Sequence, residues 1–157
     1  FEAPTLAAFV QRIDGAVGNG APAFATADRA QPLVLSYAQQ RQWFLWQLEP
    51  TSAAYHIPTA LRLKGVLDIP ALQRSFDALV QRHESLRTTF QQVGEQAVQV
   101  IHPQLPVELV VVPVVERDLS FTIEEEVQRP FDLEHGPLLR VKLLQLAVDE
   151  HVLVLTL

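Results

Sequence analysis

From Ser36 to Leu157 the hydrophobic pattern switches repeatedly between helical and strand spacing, and this alternation limits the fold more than any other feature of the chain. Ser36 followed three residues later by Gln39 has the form of a capping box, so a helix is expected from Ser36 to Leu48, ending before Pro50. A strand is expected over Tyr55–Lys64, closed by Gly65. Asp68 and Pro70 then open a second helix whose apolar face is Ile69, Leu72, Phe76, Leu79 and Val80, running to about His83. Leu86–Gln92 and Ala97–Ile101 read as a hairpin turning at Gly94, and Val107–Val112 as a short buried strand. Ser120–Gln128 reads as a helix stopped by Pro130, with Glu124, Glu125 and Glu126 forming its solvated start. Strands over Leu138–Leu146 and His151–Leu157 complete the order α, β, α, β, β, β, α, β, β. Strands mixed with amphipathic helices point to an α/β class fold, an α+β sandwich.

A different pattern precedes this region. Leu6, Phe9, Val10 and Ile13 fall on one face of a short helix, with Pro4 in its first turn and Gly15 as its stop. Helices of about ten residues are marginal alone in water, so that face needs a surface to dock on. Residues 16–32, with Gly18, Gly20, Pro22 and Pro32, read as a linker, which places a domain boundary there.

Composition narrows the function classes. Hydrophobic residues make up 48% and charged residues 19%, which is globular and not disordered usage. The net charge of -6 offers no basic stripe for nucleic acid, and no apolar run approaches the length of a membrane span. With no cysteine there is neither a disulfide nor a thiol nucleophile, which suits a reducing, cytoplasmic setting. The chain begins at Phe1, has no methionine, and stops inside an apolar strand, so both ends are expected to be cut from something longer.

Few residues advertise chemistry by themselves. His56, His83, His102, His135 and His151 form no metal-ligand pair at i, i+4 spacing and no Ser–His–Asp arrangement. Trp43 and Trp46 lie three apart on one helix and are read as packing residues. Gly18-Asn19-Gly20 is too short for a phosphate loop and lacks its lysine.

Larger segments carry a resemblance. Ser36-Tyr37-Ala38-Gln39-Gln40-Arg41-Gln42-Trp43 resembles the pattern Ser-x-Ala-Gln-x-Arg-x-Trp, the first core motif of nonribosomal peptide synthetase condensation domains. Arg82-His83-Glu84-Ser85-Leu86-Arg87-Thr88-Thr89-Phe90 resembles the second, Arg-His-Glu-x-Leu-Arg-Thr-x-Phe. Between them, Ala53-Ala54-Tyr55-His56-Ile57-Pro58 is similar to Ala-Tyr-Asn-Ile-Pro. Pro130-Phe131-Asp132-Leu133-Glu134-His135-Gly136-Pro137-Leu138-Leu139-Arg140 resembles Pro-Phe-Asp-Leu-x-x-Gly-Pro-Leu-x-Arg. The opening Phe1-Glu2-Ala3-Pro4-Thr5-Leu6 resembles the last helix of a peptidyl carrier domain.

The resemblance implies three parts: a carrier helix over 1–15, the linker over 16–32, and an incomplete N-terminal lobe over 33–157, built like chloramphenicol acetyltransferase. It implies amide-bond formation between thioesters on phosphopantetheine arms of upstream and downstream carrier domains in cis, together with a C-terminal lobe. No cofactor or metal is expected on these residues themselves. The family's catalytic His-His-x-x-x-Asp-Gly motif follows a strand like His151–Leu157, so no catalytic residue is expected here and the piece alone is expected to be inactive. Arg82 and Arg87 become support residues, Arg82 through pairing with that motif's aspartate. Ser36, Gln39, Arg41, Trp43, His83 and Glu84 are the remaining motif positions. Two other readings stand beside this one: a non-catalytic module that docks carriers or other proteins, and another acyltransferase of the same fold.

Overall fold

The computed structural model describes residues 5–14 and 26–157. The chain divides into two compact units, Phe1–Gln31 and Pro32–Leu157. In the first, helix α1 (Leu6–Asp14) starts at Thr5, whose hydroxyl accepts from the Ala8 N–H at 3.3 Å. Leu6, Phe9 and Val10 are exposed along it. Pro4, Gly15 and most of the expected linker lie outside the described residues.

The second unit opens with a two-residue strand, β1 (Leu33–Val34), which no sequence pattern marks because it is set by pairing with β4. Helix α2 (Tyr37–Leu48) begins with the expected capping box. Ser36 Oγ accepts from the Gln39 N–H at 3.3 Å, and Gln39 Oε1 accepts from the Ser36 N–H at 2.8 Å. Strand β2 spans Pro58–Lys64, three residues shorter than expected. A turn closed by His56 N–H on the Ala53 carbonyl occupies Ala53–His56, which leaves Tyr55 outside the ladder. Helix α3 (Ile69–Arg82) carries the expected Asp68 cap, with Ala71 N–H donating to Asp68 Oδ1 at 2.8 Å.

The strand expected from Leu86 instead begins with a 3-10 turn, Glu84–Arg87, and β3 covers Thr88–Val93. It forms a hairpin with β4 (Gln96–Ile101) through Gly94, whose φ of 60° suits a residue without a side chain. Strand β5 is Leu109–Pro113, helix α4 Leu119–Gln128, β6 Arg140–Ala147 and β7 Glu150–Thr156. The order expected from the sequence is thus present with β1 added to it, and the expected boundaries are displaced by at most three residues.

Two sheets result. One has three antiparallel strands in the order β1-β4-β3. The other has the order β2-β7-β6-β5, antiparallel except for the parallel β5–β6 pair, which α4 connects as a βαβ crossover. Helix α3 covers one face of this larger sheet, where Val80 meets Leu109, Val141, Leu143 and Leu153. Helix α4 covers the other, where Leu119 meets Leu144, Val152 and Val154. Coverage on both faces explains why β7 carries the unbroken apolar run Val152–Leu155. Leu143 and Leu144 are fully enclosed, each worth about 2–3 kcal/mol relative to exposure. Strand β2 lies at the sheet edge, and its Leu61 is left exposed.

Candidate functional site

An apolar groove of about 580 Å³ opens where the end of α2, the loop 52–57, the loop 131–138 and the end of β7 meet. Its walls include Leu45, Trp46, His56, Ile57, Leu138 and Leu157. Each wall is fixed by a specific contact. Ile57 and Leu157 exchange backbone hydrogen bonds of 2.8 and 3.2 Å, which extends the β2–β7 ladder to the groove floor. Trp46 Nε1 donates to the Phe131 carbonyl at 2.9 Å, tying α2 to the loop 131–138. His56 meets Phe131 edge-on at 4.9 Å between ring centroids. Its Nδ1 lies 2.7 Å from the Val127 carbonyl oxygen in the last turn of α4. A carbonyl can only accept, so Nδ1 carries the proton.

Phe131 is itself buried, and the Arg140 guanidinium sits 3.8 Å from its ring centre on β6. Arg140 also donates to the Pro130, Arg129 and Glu126 carbonyls, closing the C-terminus of α4 where helical carbonyls lack partners. Beneath it lies an ionic cluster. Glu126, only 4% exposed, receives Arg140 Nε at 2.9 Å and Arg129 at 3.0 Å and also contacts the Lys142 ammonium. This corrects the reading of Glu124–Glu126 as a solvated helix start, because Glu126 is in the second half of α4 and faces β6. Burial pushes the Glu126 carboxyl up, but the Lys142 hydrogen bond, the Arg129 and Lys142 charges and the Arg140 hydrogen bond outweigh it and hold the group below the usual carboxylate range.

The loop 131–138 is shaped by its own residues. Asp132 accepts from the Glu134 and His135 backbone N–H groups and from His135 Nδ1. Gly136 adopts a φ of 64° under Thr89 and Leu105, and the Leu133 carbonyl receives the Phe90 N–H at 2.9 Å.

The motif residues divide between structural and open positions. Ser36 and Gln39 form the capping box, and Gln39 Nε2 also reaches Gln99 on β4 at 3.2 Å. Arg41 is exposed above the Tyr55 ring. Trp43 is buried between Trp46 and Phe90, with centroids 5.1 and 6.3 Å away. His83 ends α3, and Glu84 faces Arg87 at 3.4 Å. Arg87 joins the two ends of the β3–β4 hairpin, with Nη1 donating to the His102 carbonyl at 2.5 Å. Arg82 is exposed and has no ion pair among the described residues. The arrangement therefore brings Trp46, Phe131 and His56 to the groove and leaves Arg82 and Arg87 off its walls. By sequence alone His56 shows only that it is neither a metal ligand nor a triad member. The Ala-Tyr-His-Ile-Pro stretch around it is the available signal. Among the described residues no group of acids and histidines could hold a metal ion, and no helix is long and apolar enough to cross a membrane.

A family model described as "Condensation domain" matches residues 29–157. The chain belongs to the condensation-domain family. It is similar to malpibaldin synthetase of Mortierella alpina, at 42% identity over 172 residues, covering 99% of this chain and 3% of that protein. It is also 44% identical over 133 residues to chondramide synthase cmdD of Chondromyces crocatus, covering 80% of this chain and 3% of the relative. Among solved structures, the X-domain in its complex with OxyB from teicoplanin biosynthesis matches with a TM-score of 0.80 and 36% identity, over 87% of this chain and 30% of that one. The fold is thus that of part of a nonribosomal peptide synthetase condensation domain, the expected chloramphenicol-acetyltransferase-like class. The chain spans 3% of each of these two curated relatives and 30% of the solved domain.

Proposed function

We propose that residues 33–157 are the N-terminal lobe of an amide-forming condensation domain, whose whole protein joins aminoacyl or peptidyl thioesters carried on phosphopantetheine arms. The partners in this reading are carrier domains before and after it in the same chain and a C-terminal lobe, in the cytoplasm. Helix α1 is the last helix of the preceding carrier, its exposed Leu6, Phe9 and Val10 belonging against the rest of that domain. The observation that carries the reading is the apolar groove ending at Leu157, at the point where the family's histidine motif follows. Apolar walls suit acyl groups and exclude the water that would hydrolyse a thioester. Arg82, exposed in the last turn of α3, serves a carboxylate from that following segment. The test is the intact domain supplied with loaded donor and acceptor carriers and assayed for the dipeptidyl product. No product from any loaded pair sinks the catalytic reading.

The likeness to an X-domain that forms a complex with OxyB favours a second reading, a lobe that binds another protein and makes no bond. It is preferred if the intact domain makes no amide yet retains a protein of its own biosynthetic cluster in pull-down with purified components.

A further inference from the structure

His56 has an unspent acceptor at the groove. Its Nδ1–H is committed to the Val127 carbonyl at 2.7 Å, and its ring is held edge-on to Phe131 at 4.9 Å. In the neutral ring this fixes Nε2 as a lone-pair acceptor. Nε2 has no hydrogen-bond partner among the described residues, yet it is not among the enclosed polar atoms that lack one. His56 is half-buried and is one of the residues that line the groove. Gln42, Glu49 and Tyr55 also line the groove, but no side-chain hydrogen bond among the described residues fixes their polar ends, whereas Trp46 Nε1 is spent on Phe131 and Ser52 Oγ accepts from the Ala54 N–H. A groove with mostly apolar walls and one acceptor held rigidly in place favours an apolar ligand that bears a donor.

We propose that His56 is a specificity-determining residue whose Nε2 accepts a hydrogen bond from an amide N–H of the thioester ligand in this groove. The proposal rests on the condensation reading for the identity of that ligand. Two sources supply the amide: the acyl group itself or the pantetheine arm.

The experiment uses the intact domain and four thioester probes. An N-acetyl-leucyl group and its 4-methylpentanoyl analogue, which lacks the amide, are each attached to pantetheine and to plain ethanethiol. Calorimetry compares the wild type with His56→Phe, which keeps a ring against Phe131, and His56→Asn, which keeps one donor and one acceptor. His56→Phe is expected to weaken amide-bearing probes about 3- to 10-fold, the range of one hydrogen bond, while the amide-free probe stays within about twofold and Asn restores most of the affinity. Loss confined to the N-acetyl-leucyl probes assigns the acyl amide. Loss confined to the pantetheine probes assigns the arm. Equal loss on all four probes means a merely structural role and overturns the proposal, as does no loss on any or no binding by the wild type. If the wild type binds the probes but forms no peptide bond from loaded carriers, the condensation reading falls while the His56 result stands.

Discussion

Replacing Glu126 by Gln removes the one anion that three cations share, and the structure sets the size of the effect. Removing one partner of a buried pair costs about 3–5 kcal/mol, mostly because the other charge is left without compensation. Glu126 is 4% and Arg140 10% exposed, but the Lys142 side chain at 23% reaches water. Arg140 also keeps its carbonyl acceptors at Pro130, Arg129 and residue 126. The low end therefore applies, about 3 kcal/mol, or a midpoint lower by about 6–12 °C in a domain of this size. The assay is urea unfolding of parent, Glu126→Gln, Lys142→Met and the double variant. The cycle should return a coupling of about 1–3 kcal/mol. The pH dependence follows from the direction of the shift. A carboxyl held lower in the folded state than in the unfolded chain stabilises fully above its unfolded value, about 4.3, and loses that contribution as pH falls through the lower folded value. The parent should thus lose stability below about pH 4 more steeply than Glu126→Gln does. A single variant within about 0.5 kcal/mol of the parent, or a cycle with no coupling, refutes the view that this cluster holds α4 to β6.

Three further outcomes follow from the geometry. Gly136→Ala should destabilise by about 2 kcal/mol, because φ is 64° and the new Cβ would lie 3.1 Å from Thr89 Cγ2 and 3.2 Å from Leu105 Cδ2. Gly94→Asn, at a similar φ with nothing within 4 Å, should cost only a few tenths, and equal losses in denaturant titration would contradict this contrast. His151→Leu should stabilise by about 1 kcal/mol at unchanged m-value, since both ring nitrogens are enclosed without a partner among the described residues, and a lower midpoint would refute it. The Asp132 hydrogen bond and charge raise the His135 pKa above its ordinary value, so Asp132→Asn should return its NMR titration to about 6.5, and an unmoved midpoint would show that the pair does not form in solution.

Legibility from sequence follows the distance between partners. The Ser36 capping box and the Asp68 cap are readable because both partners lie within three residues. Strand β1 is not, since two residues carry no period and Leu33 is placed by Gln99 far along the chain. The start of β2 is misleading because Tyr55 and Ile57 have strand-forming side chains, while the Ala53–His56 turn bends the backbone first. Glu126 looks solvated in sequence because its neighbours Glu124 and Glu125 are exposed, and its cations on β6 meet it only once α4 crosses back over the sheet. The groove is partly legible: the Trp43–Trp46 packing is expected, whereas the His56 contact joins residues 71 positions apart and has no local sign.

The family motifs owe their spacing here to the groove's walls more than to groups that reach into it. The capping box fixes where α2 starts, and about three turns later this puts Trp46 in register to meet the Phe131 carbonyl. Arg140, the last residue of the fourth segment, ends α4 and flattens Phe131 beneath its guanidinium, so the carbonyl and ring edge of Phe131 are offered to Trp46 and His56. A change at any of these positions displaces the same wall. Trp46→Phe and Arg140→Lys should therefore act alike, each loosening the loop 131–138. Arg140→Lys should act more strongly, because a lysine cannot span three carbonyls and stack on a ring at once. Hydrogen exchange at the Phe90 amide, which donates to Leu133 of that loop, reads the displacement directly. Faster exchange in both variants fits a shared wall, and a change in only one shows that the two contacts act separately.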